Sequence, residues 1–129
     1  MEKQNNARQT QLNPQVVFEH MIQALNRHDL DAMLATYSPD YISEQPFHPE
    51  RNFTGPAGVR KNWTFFFAMI PDIQVDILVE AINGDLVWAE VHHHGTQIDG
   101  KPFSVRGVTI SRIQNDQITW MRLYIEPAP

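Results

Sequence analysis

The stretch PDIQVDILVEAINGDLVWAEVHHHGTQ, residues 71–97, decides the fold, because within it the spacing of apolar residues changes from helical to alternating. Ile73, Val75, Ile77, Val79 and Ala81 alternate with Gln74, Asp76, Leu78 and Glu80, and Asn83-Gly84-Asp85 supplies a turn, which predicts a strand and a hairpin. Leu86 to Gln97 is the returning strand. Phe103 to Gln114 and Gln117 to Ile125 follow as two more, separated by Asp99-Gly100-Lys101 and by Asn115-Asp116.

Upstream the period is helical. Asn13-Pro14 is a cap followed by a first-position proline, and Val17, Met21 and Ala24 with Phe18, Ile22 and Leu25 form an apolar stripe, predicting a helix from Pro14 to about His28. Asp29 caps a shorter helix carrying Leu30, Met33, Leu34 and Tyr37, stopped by Ser38-Pro39. Tyr41 to Gln45 reads as a brief strand, and Pro46 to Gly55 as an irregular segment over a site or rim, with 46–53 a candidate lid. Pro56 starts a third helix, ended by Pro71-Asp72, that places Val59, Asn62, Trp63, Phe66 and Ile70 on one face with Phe65 and Phe67 beside it. This helix is expected to sit against a sheet. The order α-α-β-α-β-β-β-β predicts an α+β domain, an antiparallel sheet with helices on one side.

Composition bounds the function. With 129 residues, 42% of them hydrophobic, the chain supports one core, so a loose tail over 1–13 and a single domain over 14–129 are expected. Ten basic against fifteen acidic residues, a net charge of −5, argue against a nucleic-acid partner. The lack of cysteine excludes disulfides, thiolate metal sites, iron–sulfur clusters and a thiol nucleophile. No apolar run approaches a membrane span, and the opening MEKQNNARQTQLN lacks the apolar core of a signal peptide, so a soluble, cytoplasmic protein with no membrane partner is expected.

The densest ionisable group is Glu90-Val91-His92-His93-His94. On a strand Glu90, His92 and His94 share one face, about 6.6 Å between neighbours, while Val87, Ala89, Val91 and His93 share the other. Three readings fit. Glu90 orients or charge-stabilises His92 as an acid/base near neutral pH; His-x-His with a carboxylate holds a zinc or iron ion; or the apolar side faces the core and the polar trio faces solvent or a second copy. His-x-His lacks a spaced third ligand here, so neither metal nor cofactor is expected. Trp120, Arg122 and Tyr124 share a strand face that an adjacent Arg106 can join, and this set is assigned to a subunit interface.

The element order and a series of strings resemble the nuclear transport factor 2-like superfamily and, within it, the SnoaL-like domains. From Pro14 to Glu126 they are Asn26-Arg27-His28-Asp29-Leu30-Asp31, Phe53-Thr54-Gly55-Pro56-Ala57-Gly58-Val59-Arg60 with Trp63, Pro71-Asp72, Asp99-Gly100-Lys101-Pro102-Phe103, Arg106-Gly107 and Arg122-Leu123-Tyr124-Ile125-Glu126-Pro127. The resemblance implies a cone-shaped α+β barrel, a curved antiparallel sheet wrapped around the long third helix with an apolar cavity, and a homodimer packed through the outer sheet face.

Enzymes of that superfamily can be compared position by position. The ketosteroid isomerase Asp base, oxyanion Tyr and protonated Asp fall at Gln45, Met21 and Thr109. The limonene-epoxide hydrolase Arg and two Asp, anchored on the Asp99-Gly100-Lys101 turn, fall at Glu90, His92 and Leu123, with its water-holding Tyr and Asn at Ser43 and Gln45. The acidic residue common after Arg-Gly in polyketide cyclases is Thr109. Both enzyme comparisons imply that Glu90, His92 and His94 point into the cavity. The chain is therefore expected to be a cofactor-independent isomerase, cyclase, dehydratase or hydrolase acting on an apolar oxygenated molecule such as a polyketide, terpenoid or steroid-like compound. His92 would be the proton shuttle, Glu90 its support and His94 a second acid/base or donor. Gln45 with Ser43 or Thr109 would position the substrate, and Tyr37, Trp63, Phe67, Met121 and Ile125 would supply apolar walls. The alternative is a non-catalytic ligand-binding or dimerisation domain of the same fold.

Overall fold

In the computed structural model, which describes residues 12–129, Asn13 accepts a hydrogen bond from the Gln15 N–H (2.9 Å) and Pro14 takes the first helical position, opening α1 (Pro14–Asn26) as those residue types require. The expected tail lies outside the described residues except for Leu12 and Asn13; the Leu12 N–H donates to Asp116 (2.7 Å). Asp29 caps α2 (Leu30–Leu34) by accepting from the Ala32 N–H (3.1 Å).

Tyr37, expected on that second helix, instead begins β1 (Tyr37–Glu44). Two local causes end the helix early: Thr36 turns its hydroxyl onto the Met33 carbonyl (2.7 Å), and its own carbonyl accepts from the Ile118 N–H (2.8 Å) in the last strand. The segment after β1 contains a 3-10 turn (Pro49–Arg51) and a two-residue strand β2 (Phe53–Thr54) before α3 (Pro56–Met69). Strands β3 (Gln74–Asn83), β4 (Leu86–Thr96), β5 (Pro102–Gln114) and β6 (Gln117–Pro127) follow in hairpin succession.

The six strands form one sheet in the order β2-β1-β6-β5-β4-β3, and two features correct the expected barrel. The sheet is mixed, since β1 runs parallel to β6 while every other pairing is antiparallel. It is also open: β2 and β3 are its two edges and do not pair. Closure needs strands long enough to stagger continuously around a ring, and a two-residue β2 ends the hydrogen-bonding on one side.

A second correction concerns what the sheet packs against. The core is centred on α1, whose Val17, Phe18, Met21, Ile22, Ala24 and Leu25 meet Val75, Val87, Ala89, Val91, Ile113, Ile118 and Met121 of the sheet. In α3 only Val59 is buried. That helix is not wrapped; its aromatic side lies over the far ends of β4 and β5, through Trp63 on His93 (5.9 Å between centroids) and Phe66 on Phe103 (6.2 Å).

Register fixes which side chains face the helices. Val87, Ala89, Val91 and His93 pair with Ser111, Thr109, Gly107 and Val105, so these eight share the inner face. Gly107 (φ +155°) is required there, because a Cβ at that position would lie 1.9 Å from the Tyr124 carbonyl oxygen of β6. In β3 the register shifts between Ile77 and Val79, and this bulge breaks the expected alternation: Val79 pairs with Glu90 on the outer face, 59% exposed, and Glu80 turns inward toward Glu19 of α1. Partial burial first, and then a hydrogen bond with Glu19 and its like charge, hold the Glu80 carboxyl above the ordinary value. Among the described residues no helix is long and apolar enough to cross a membrane.

Candidate active site

Between α3, the 45–53 segment and the ends of β4, β5 and β6 lies a cavity of about 590 Å3, within the range of small-molecule sites. Phe53, Trp63, Phe66, Phe103, Val105, Leu123 and Ile125 give it apolar walls. Its polar groups are few: Ser43 and Gln45 at the end of β1, Glu50 and Arg51 on the rim, Lys61 and Asn62 on α3, and His93 on β4. The rim is tied down by the Gln45 N–H donating to Asn52 Oδ1 (2.7 Å) and by a hydrogen bond between His48 and Glu126. The segment expected as a lid thus borders the cavity through Glu50, Arg51 and Phe53.

Of the acid/base groups lining the cavity, Glu50 and Lys61 are exposed and His93 is the one withdrawn from solvent. Burial, and then the neighbouring imidazoles of His92 and His94, hold it well below the ordinary value, at about 4, so the ring is neutral at physiological pH. One face rests against Trp63, the other side borders the cavity, and among the described residues no hydrogen-bond partner takes up either ring nitrogen. An uncharged imidazole with a free lone pair, facing an apolar space, is able to accept a proton from a bound molecule and return it.

The three residues expected as catalytic stand on the opposite side of the sheet. Glu90 reaches Arg106 (3.9 Å), His92 Nε2 is hydrogen-bonded with Ser104 Oγ (2.9 Å), and His94 Nε2 with Asp76 Oδ2 (2.9 Å). Their expected orientation into the cavity is therefore corrected. The β4–β5 register gives the reason: Thr109 pairs with Ala89, not with Glu90, so the trio and Thr109 cannot share a face.

Of the expected substrate-contacting residues, Ser43, Gln45, Trp63 and Ile125 line the cavity. Tyr37, Phe67, Thr109 and Met121 do not. Tyr37 is buried edge-on against Tyr41 (4.6 Å), and burial pushes both phenols well above their ordinary value. Phe67 stacks on His28 (4.5 Å, 16° between planes), whose Nε2 is hydrogen-bonded with the Ile73 carbonyl (2.8 Å). Thr109 and Met121 are sealed in the core. The polar residues missed were His93, Asn62, Lys61 and the rim pair Glu50 and Arg51, and the apolar walls missed were Phe53, Phe66, Phe103, Val105 and Leu123. For His93 the signal was present, since simple alternation puts it with Val87, Ala89 and Val91.

On the outer face Trp120 is flanked by the guanidinium groups of Arg122 (5.0 Å) and Arg112 (5.3 Å), and its indole N–H donates to Glu44. Tyr124 meets Phe47 there, edge-on at 5.7 Å.

Comparison with solved structures finds the same fold at low identity. IdmH from Streptomyces antibioticus, named as a candidate polyketide cyclase, is 21% identical, with 89% of this chain and 93% of that one covered at a TM-score of 0.78. AclR from Streptomyces galilaeus, named as a candidate hydroxylase, is 18% identical over 90% and 80% of the two chains at 0.77. A candidate SnoaL-like polyketide cyclase from Jannaschia sp. CCS1 is 17% identical over 88% and 85% at 0.75. No curated protein matches the chain. The model of the SnoaL-like domain matches residues 18–121, most of the described fold, and the chain belongs to the SnoaL-like domain family.

Proposed function

We propose that the protein is a small-molecule enzyme that performs acid/base chemistry without a cofactor on an apolar, oxygenated substrate of polyketide type, with His93 as its proton-transfer group. The observation that carries this is the neutral His93 imidazole with uncommitted nitrogens in the wall of an apolar cavity. Its conjugate acid is strong, which suits it to substrates whose C–H is already acidified by two flanking carbonyls. His93 would remove such a proton and return it at another carbon or oxygen. Asn62, Gln45 and the Lys61 and Arg51 cations at the mouth are the groups able to stabilise an enolate oxygen. The naming of IdmH and the Jannaschia protein as candidate polyketide cyclases favours the same substrate class.

Glu90, His92 and His94 have no part in this chemistry, because the sheet separates them from anything bound in the cavity. The outer face suits pairing of two copies: it leaves Ile42, Val79 and Trp88 exposed beside the Trp120 and arginine set.

The test is turnover of a panel of aromatic poly-β-ketone thioesters, followed by mass spectrometry, with wild type and His93→Gln in parallel. The expected result is a product whose rate falls at least 100-fold in His93→Gln, following the usual weight of a general acid/base. Saturable binding without product in the wild type would support the non-catalytic alternative, and equal turnover by both would remove His93 from the mechanism.

A further inference from the structure

The outer face of the sheet holds a second constellation that the cavity does not use. His92 and His94 sit two apart on β4, so both rings project from the same face, their centroids 5.0 Å apart. Asp76 is the direct cross-strand partner of His92 on β3, and its carboxylate reaches His94 Nε2 (2.9 Å). One donor atom from each of the three lies within 4.8 Å of the others. The third ligand that linear spacing lacks is thus provided by the neighbouring strand.

We infer that Asp76, His92 and His94 form a binding site for one divalent first-row transition ion of the zinc and cobalt type. Two imidazoles and one carboxylate are the donors such ions prefer, whereas calcium and magnesium call for oxygen ligands throughout. Donors about 2 Å from a tetrahedral ion lie about 3.3 Å apart; His94 Nε2 and Asp76 Oδ2 are already 2.9 Å apart, and all three donors lie within 4.8 Å of one another. The hydrogen bond between Ser104 Oγ and His92 Nε2 holds one ring in place, and Glu90 draws the Arg106 guanidinium to itself rather than leaving it free beside His92. Three protein ligands leave at least one coordination position for water or another ligand. The site also clips the edge strand β3 to β4 across the position where it pairs Asp76 with His92. It lies on the face opposite the cavity, so it stands or falls independently of the activity proposed for His93.

The experiment is titration of tag-free, chelator-treated protein with Co2+, read by visible d–d absorption, and with Zn2+, read by calorimetry. The expected result is saturation at one ion per chain, with affinity reduced at least 10-fold in Asp76→Asn and in His94→Gln, and unchanged in His48→Gln, which removes an imidazole elsewhere on the surface. Asp76 and His94 are solvent-accessible, and circular dichroism confirms that the variants are folded before they are compared. Absence of a saturable site in the wild type overturns the inference. Affinity that survives both ligand substitutions, or that falls in His48→Gln, overturns it equally by placing the ion elsewhere.

Discussion

The buried His93 imidazole makes stability fall with acid in a way that one substitution removes. In the unfolded chain residue 93 titrates near 6.5, and in the native protein near 4. Between those values the unfolded state binds a proton that the native state does not, so stability is full above about pH 6.5 and declines as pH falls toward 4. A drop from 6.5 to about 4 corresponds to an upper limit of about 3 kcal/mol, and because one side of the ring borders the open cavity, about 1.5–2 kcal/mol is the magnitude expected. The titratable and charged groups around the ring are His92 and His94, its neighbours in β4 on the other side of the sheet, and Lys61 from α3 with Glu50 and Arg51 from the rim on the cavity side. All are retained in His93→Gln, so the difference between the two proteins isolates the one imidazole. Urea unfolding at a series of pH values between 7.5 and 4, with chelator present throughout, measures it. Wild type should lose about 1.5–2 kcal/mol more than His93→Gln across this range. Parallel curves for the two proteins would refute the burial of a neutral imidazole and with it the base assigned to the cavity.

Other consequences are open to simple measurement. Gly107→Ala places a Cβ 1.9 Å from the Tyr124 carbonyl and is expected to cost about 2–4 kcal/mol in urea unfolding; a loss below about 1 kcal/mol would mean that β5 and β6 are not this close. Glu80→Gln relieves a like-charge contact with Glu19, so its urea midpoint at pH 7 should rise above wild type, and a fall would show that the carboxylate is stabilising. Analytical ultracentrifugation should detect a dimer whose dissociation constant increases at least 10-fold in Trp120→Ala; a monomer at all concentrations would leave the outer face unpaired. Trp63→Ala should weaken binding of cavity ligands in calorimetry and, because it uncovers one face of His93, should shrink the acid-dependent loss of stability seen in wild type; an unchanged loss would mean that Trp63 does not shield the ring.

Helix starts and the four long strands were legible because their signals are local. Asn13-Pro14 and Asp29 cap as their side chains dictate, and Asn83-Gly84-Asp85 and Asn115-Asp116 turn the chain where expected, with Gly84, Asn115 and Asp116 all at positive φ. Tyr37 and β2 were not, because the one is captured by a carbonyl contact to β6 and the other is two residues long. The bulge at Leu78 is invisible to periodicity, yet it decides that Val79 faces out and Glu80 faces α1. The site was lost by a single residue. Alternation on β4 placed His93 with the apolar core residues, whereas positional comparison across the Asp99-Gly100-Lys101 turn placed His92 in the cavity, and a shift of one on a strand exchanges its faces. The Asp76, His92 and His94 cluster was half legible: His-x-His is plain in the chain, but its carboxylate comes from a strand sixteen residues earlier and meets it only through the β3–β4 register.

The central claim is that the chemistry of this domain faces the cavity through His93 and not the outer sheet through His92. Imidazole 15N resonances, assigned with His92→Gln and His93→Gln, test it during titration with a hydroxylated tricyclic quinone small enough for the 590 Å3 cavity. Saturable movement of the His93 ring signals, with His92 and His94 unchanged, is the predicted result. Movement of His92 and His94 with a silent His93 would contradict the account.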